Sequence, residues 1–490
     1  MKINDIEILE IAYKYIKQMS QSKKFNLQAR GITSYFPNEE LTLEEKNMYL
    51  LNYDQFKNKQ ECIILKDFVY KNDFFTPREM YIISPEYYLY YTFNVFKYCY
   101  IKYGKGVIDF SKDNFQVFYA GYLELEKSAF YGNKVNYDYS YQKYLVVRDS
   151  FAGAKVLSID LQDFFKNIKI KKLIKKMKNT NIEDESIIKT INNIEGFLGN
   201  FSSLPQLHYS IASSLLSQVY LESFTEEVNS LLIEKEYSEF KAVRYVDDMY
   251  FYMPLHIEDK RKNEFLEKIS CILWEDDLNI NTKKTKNYSK EEFESFIEQK
   301  NNYTYESIQE ISAFSNYFNA KIQNKVEELL KNDGEKLGCF LYQLSELYDN
   351  KGIELKEYYD ILREQIEVEG GSISKVFNHL MFSNNNYISQ IGEDNLYKVL
   401  SDSKFVLFNP SQFTILFIKM NDYIKSRGEF KDFSVNLENL VSGEIDLKRA
   451  IIISNMYLQK EEYKSLIYRL DELRGVNDNY IKFINKYISK

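Results

Sequence analysis

The feature that most constrains this chain is Tyr245-Val246-Asp247-Asp248, set between the apolar runs KAVR and MYFYM. Runs of β-branched and aromatic residues read as strands, and the short joint between these two implies a hairpin. Two adjacent carboxylates at such a turn are costly, because each resists leaving water unless positive charge sits beside it. A divalent metal ion is the usual partner. The plain alternative is an ordinary Asp-Asp turn, which suits aspartate's own turn preference.

A third carboxylate weakens that alternative. Asp160 ends another strand-like run, VLSI, and is followed by Leu-Gln-Asp-Phe-Phe. Three carboxylates converging from two strands suit phosphoryl transfer by two metal ions, one activating the attacking hydroxyl and the other holding the triphosphate and the leaving oxygen. Together DLQDFF and YVDD resemble motifs A and C of reverse transcriptases. The resemblance implies Asp160, Asp247 and Asp248 as ligands of two Mg2+ ions, with Mn2+ able to substitute.

Further matches follow in the same order. Leu204-Pro205-Gln206, ahead of SSLLSQVYL, resembles motif B, in which the glutamine packs on the incoming nucleotide. LNINTKKT resembles motif D, with Asn281, Lys284 and Thr285 in register, and Lys284 suited to neutralise or protonate the leaving pyrophosphate. Arg148, in VVRDS, resembles the fingers arginine that grips the triphosphate, with Lys143 and Lys155 as weaker candidates. Arg148 and Lys284 are each also readable as solvated surface charges. Phe165 falls where reverse transcriptases carry an aromatic gate against the 2′-hydroxyl, which implies deoxynucleoside triphosphates as substrates. Phe164 and Phe165 could instead both be core. The lysines at 166, 169, 171, 172, 175, 176 and 178 read equally as a phosphate track or an exposed helix face.

The 490 residues exceed one typical domain, and 44% hydrophobic with 28% charged residues describes a folded chain rather than a disordered one. Strand-like runs at QVFYAGYLEL, KYLVVRDSF, AKVLSID and KAVRYVDDMYFYM, with a helix at LLSQVYLESFTEEVNSLLIEK, give an α+β pattern from 115 to 290. From 291 to 490 amphipathic helices follow one another: SIQEISAFSNYFNAKIQNKVEELL, CFLYQLSELY, EYYDILREQI, LFIKMNDYIK, LKRAIIISNMYLQ and YKSLIYRLDEL. The expected fold is α+β, with reverse-transcriptase-type fingers and palm followed by an all-α, helical-repeat-like (HEAT-like) C-terminal domain. The expected segments are 1–110 (helical extension and part of the fingers), 111–290 (fingers and palm) and 291–490.

A net charge of −8 confines any nucleic-acid binding to a local cleft. Four scattered cysteines and three histidines argue for a reduced compartment and against zinc. With no apolar leader core and no long apolar span, the expected compartment is the cytoplasm, with no membrane partner.

The sequence departs from reverse transcriptases at Leu207, where a glycine usually lets the template approach the backbone. A branched side chain there would obstruct a template, and about two extra residues stand before Ser213. The altered motif B and helical C-terminal region make the chain similar to bacterial abortive-infection polymerases of the P2-prophage type. That resemblance implies untemplated, protein-primed synthesis, a single-stranded DNA product attached to a tyrosine that the sequence leaves unidentified among 43, homo-oligomers, and a role in phage defence. The Arg-x4–6-His pairing of the nuclease-bearing relatives is absent, so no nuclease is expected. The alternatives are a conventional templated reverse transcriptase and a scaffold built on a dead palm.

Overall fold

The computed structural model describes residues 4–22, 27–70, 77–104, 106–121, 123–125, 137–179, 184–300, 388, 391–401, 406–407, 410–428, 431–470 and 478–488. The chain divides into two compact units, Met1–Ile64 with Tyr81–Ser315, and Leu65–Met80 with Asn316–Lys490.

The chain opens with helices α1 (Asp5–Ser22), α2 (Leu27–Tyr35), α3 (Leu43–Tyr49) and α4 (Tyr53–Lys59). Strands β1 (Ile64–Tyr70) and β2 (Pro77–Ile83) form a two-stranded sheet, and helix α5 (Pro85–Tyr103) follows with Pro85 in its first turn. Helix α5 is buried from Pro85 to Cys99, which accounts for its apolar and aromatic residues on every side.

The centre of the first unit is a five-stranded sheet. Its strands are β3 (Phe115–Phe118), β4 (Lys155–Ile159), β5 (Lys241–Tyr245), β6 (Asp248–Met253) and β7 (Lys286–Tyr288), in the order β3-β5-β6-β4-β7. Only the β3–β5 pair is parallel. Helices α6 (Tyr137–Asp149), α7 (Phe164–Asn167), α8 (Ile170–Lys178), α9 (Glu185–Leu198), α10 (Ile211–Tyr220), α11 (Glu222–Ile233), α12 (Asp259–Glu275) and α13 (Lys290–Lys300) complete the unit.

Period-2 alternation sorts the strand residues between two cores. Leu157, Ile159, Ala242, Met249, Phe251 and Met253 join the main core, with Leu215, Leu216, Phe224 and Phe265 of α10, α11 and α12. Val156 and Val243 join Tyr144, Leu145, Phe151 and Phe293 on the other side. The sheet is therefore covered on both faces, and its even-numbered β4 and β6 residues face α6 and α13.

Three readings of local structure need correction. KYLVVRDSF is helix α6 rather than a strand: Tyr141, Tyr144, Leu145 and Arg148 recur at helical spacing, with the rings of Tyr141 and Tyr144 turned onto Tyr245 at 5.1 and 5.3 Å. QVFYAGYLEL is a strand only to Phe118. The expected helix at 215–235 is two helices, broken at Leu221.

In the second unit the described residues form α14 (Glu393–Ser401), α15 (Pro410–Ser426), α16 (Ser434–Leu440), α17 (Leu447–Gln459), a 3-10 turn at Glu461–Leu466, α18 (Ile467–Leu470) and α19 (Asp478–Tyr487). Buried Phe413, Leu416, Phe417 and Met420 of α15 and Ile452, Ile453 and Met456 of α17 supply much of its core. Asn421 accepts a bond from the Phe433 backbone at 3.0 Å, and Asn436 donates to Leu400 at 2.6 Å. The expected helices at 307–330, 339–348 and 357–366 lie outside the described residues. No described helix is long and apolar enough to cross a membrane.

Candidate active site

Strand register brings two of the three aspartates together. Ile159 pairs with Met249 in the antiparallel β4–β6 ladder, so the next step of that register sets Asp160 opposite Asp248. Both are even-numbered, so both belong to the face shared with Tyr250 and α6. Tyr245 pairs with Asp248, which leaves Val246 and Asp247 as a two-residue hairpin loop. Val246 has φ +57°, a left-handed conformation that strains a β-branched residue, while Asp247 has no positive φ. A positive φ at the first loop position only is the pattern of a type II′ turn.

The Asp160 carboxylate is already engaged. Oδ2 accepts from Asn281 Nδ2 at 3.0 Å, and Oδ1 accepts from Lys284 Nζ at 3.1 Å. The Asn281 N–H also donates to the Asp160 carbonyl at 2.7 Å, and Asn281 in turn accepts backbone bonds from Lys284 and Thr285. Motif D is thus folded directly onto the strand-end aspartate. Asp160 is buried, Asp247 half-buried and Asp248 exposed.

Carboxylate oxygens with no nitrogen or sulfur donor suit a hard cation such as Mg2+, so the residues fit the ion that the motifs imply. Asp160 and Asp248 would hold it from facing strands, with Asp247 reaching from the turn. Among the described residues no three Asp, Glu, His or Cys side chains stand close enough to hold an ion as they are. When bound, the ion would supply charge to activate a hydroxyl and to stabilise a departing phosphate.

Residues 146–309 match the reverse transcriptase (RNA-dependent DNA polymerase) family. The fold is that of a reverse-transcriptase palm. Among solved structures, telomerase from Candida albicans in complex with a TWJ fragment of telomeric RNA is similar at 12% identity and a TM-score of 0.23, over 64% of this chain and 53% of that one. This chain therefore spans about half the length of the telomerase chain. No curated protein matches.

Within the palm, the other expected residues are distributed differently. Phe165 is half-buried, its ring 5.3 Å from that of buried Phe164, so one of the pair is core and the other borders the surface. Arg148 is buried and committed to protein: Nε donates to Asp149 Oδ1 at 2.8 Å, and the guanidinium lies over the rings of Tyr144, Tyr250 and Phe296 at 5.4–5.9 Å. A triphosphate would have to displace Asp149 to reach its fork. Lys155 donates to the Ile257 carbonyl at 3.0 Å, and Lys143 lines a separate cavity of about 460 Å³ between α6 and β3.

The motif B loop is braced by the N-terminal helices, a role the sequence did not reveal. The Gln206 carbonyl accepts from the Tyr81 N–H at 2.8 Å, and the His208 N–H donates back to Tyr81 at 3.4 Å. Tyr15 and Tyr88 donate their hydroxyls to the carbonyls of Tyr209 and His208 at 2.6 and 2.9 Å. Gln206 is half-buried, whereas the Leu207 side chain is buried in the main core. The expectation that this side chain would obstruct a template is therefore corrected: hydrophobic burial turns it into the protein.

The lysine run also divides. Lys172 and Lys176 pair with Asp276, and Lys178 pairs with Glu195, while Leu173, Ile174 and Met177 of α8 are buried. Lys166, Lys169, Lys171 and Lys175 are exposed.

Arg244 was not singled out from the sequence. It sits at a core position of β5, fully buried, with Nη1 donating to Gln218 Oε1 at 2.8 Å and to the Val246 carbonyl at 3.0 Å, and Nη2 donating to Thr225 Oγ1 at 2.9 Å. Burial pushes its pKa down to about 9, against the opposing charge of Asp247. The signal available in the sequence was an arginine at an inward-facing position of an apolar strand.

Proposed function

We propose that this chain is a nucleotidyltransferase of the reverse-transcriptase type that joins deoxynucleotides using two divalent metal ions held by Asp160, Asp247 and Asp248. The observation that carries this reading is the strand register that sets Asp160 opposite Asp248 beside the Asp247 turn. A hydroxyl oxygen attacks the α-phosphorus, the bond to the β-phosphate breaks and pyrophosphate leaves. Lys284, at the mouth of the site, serves the leaving group, and Phe165 limits the sugar to a deoxyribose.

The finer reading is synthesis without a template, primed by a tyrosine of the chain itself, in defence against phage. The resemblance to abortive-infection polymerases supports it. So does the motif B loop, whose backbone groups near Gln206 and His208 already pair with Tyr81 instead of standing open to a passing strand. The second reading is a templated reverse transcriptase, with which the burial of Leu207 is compatible because that side chain does not stand in a template's way.

The test is to incubate the purified protein with Mg2+ and each labelled deoxynucleotide, with and without a primed RNA, and to resolve products on a denaturing protein gel. Label tied to the polypeptide, erased by nuclease and absent in Asp247→Ala, supports protein-primed synthesis. Label that requires the primed RNA supports the templated reading. Tyr141 is 38% exposed with its ring 5.1 Å from that of Tyr245, which makes Tyr141→Phe the first acceptor variant to try.

A further inference from the structure

A guanidinium buried without a carboxylate bonded to it is expensive, since desolvation is offset only by hydrogen bonds to neutral groups. Arg244 is such a group: among the described residues its Nε has no hydrogen-bond partner, and its remaining bonds go to an amide, a hydroxyl and a backbone carbonyl. Strand alternation gives it the same side of the sheet as Ala242, against α10 and α11, where an aliphatic residue would pack without that cost. Its guanidinium carbon also lies 5.8 Å from the centroid of the buried Phe115 ring. The fold thus locks this side chain from three elements.

What it locks is the strained turn. The Val246 carbonyl that accepts from Arg244 belongs to the residue held at φ +57°, and the Val246 N–H is fixed from the other side by donation to the Phe118 carbonyl at 3.0 Å. Gln218 lies on the motif B helix and Thr225 on the helix after it, so one side chain ties the aspartate loop to both.

We propose that Arg244 is a positioning residue for the Asp247–Asp248 turn: by clamping the Val246 carbonyl to α10 and α11, it keeps that valine left-handed and the two carboxylates in place. This rests on the reading of those carboxylates as metal ligands. Without the clamp the turn relaxes toward a negative φ at Val246 and the carboxylates lose their alignment with Asp160.

The experiment compares wild type, Arg244→Lys, Thr225→Val, Val246→Gly and the Arg244→Lys/Val246→Gly double variant. Folding is followed by circular dichroism, Mn2+ binding by electron paramagnetic resonance, and kcat and KM by nucleotide incorporation. Arg244→Lys is expected to weaken Mn2+ binding and lower kcat by about 10–100-fold while KM for the nucleotide changes little, the scale seen when groups that orient metal ligands are lost. Because glycine adopts a positive φ without strain, Val246→Gly in the Arg244→Lys background should recover part of that loss. A role confined to core packing predicts lower stability with unchanged Mn2+ affinity in the folded fraction and no recovery in the double variant, and that result overturns the proposal. Should Arg244→Lys fail to fold, Thr225→Val, which removes a single anchor, must still weaken Mn2+ binding, and unchanged binding there overturns it too. A wild type that binds Mn2+ but incorporates no nucleotide would remove the polymerase reading and leave the clamp to be judged by Mn2+ binding alone.

Discussion

Lys284 Nζ lies 3.1 Å from Asp160 Oδ1, joining a motif D lysine to the aspartate that ends strand β4. The lysine side chain is 59% exposed, so the pair is a weak contributor to stability but an effective way to park a cation at the site. Replacing Lys284 with alanine should leave the melting temperature nearly unchanged while lowering kcat by about 10²–10⁴-fold, the range for a lost general acid. Parallel thermal melts and single-turnover kinetics check this; a large drop in melting temperature with normal kcat would show a structural lysine.

Asp160→Ala and Asp247→Ala should each abolish nucleotide incorporation, by at least about 10²–10³-fold, and leave a folded protein. Circular dichroism with an incorporation assay separates the two effects. Normal incorporation by either variant removes the central claim.

Phe165→Ala should relax discrimination between deoxy- and ribonucleotides, because the half-buried ring is the member of the Phe164–Phe165 pair that borders the surface. The quantity to measure is the ratio of kcat/KM for a deoxynucleotide and its ribonucleotide. An unchanged ratio would show that the sugar is sensed elsewhere.

Leu207→Ala should cost about 2–5 kcal/mol of stability, the usual result of emptying a buried leucine site, and should not alter the dependence of synthesis on a template. Denaturant unfolding gives the first quantity and primed-RNA assays the second. A stable variant that newly copies RNA would show that the leucine does face the template path.

Stability should hold through mildly alkaline pH and then fall between about pH 10 and 12. Burial pushes the Tyr13 and Tyr250 hydroxyls up to about 12, from about 10 in the unfolded chain. A raised folded value favours the neutral form, so the stabilisation is complete below pH 10 and is lost as pH rises through 12. Unfolding free energies measured against pH, alongside tyrosinate absorbance, test this; a decline beginning below pH 9 would contradict it.

Much of the palm was legible because its signals are local. The strands around Asp160 and Asp247 carry their alternation within a few residues, the hairpin is announced by its own turn, and the order of DLQDFF, LPQ, YVDD and NINTKKT follows the chain. Helix α6 was misread because VV beside Arg148 looks like a strand when only a short apolar run is weighed, and the aromatic positions that make it helical lie a turn upstream. The N-terminal segment was expected as a helical extension from its place ahead of the palm rather than from its own pattern, and its task of bracing the motif B loop joins residues as far apart as Tyr15 and Tyr209.

The sequence by itself determined which carboxylates stand at the ends of which strands and which faces of the strands they occupy, because side-chain alternation and turn preference are properties of neighbouring residues. Only the tertiary structure decided what each charge meets. Arg148 is buried against Asp149, Leu207 turns into the core, Asp160 takes Asn281 and Lys284 as partners, and Arg244 reaches across to Gln218 and Thr225. Most of these partners lie tens of residues or more away along the chain. Burial and hydrogen bonding act through space, and no local pattern records which distant segments folding will bring together.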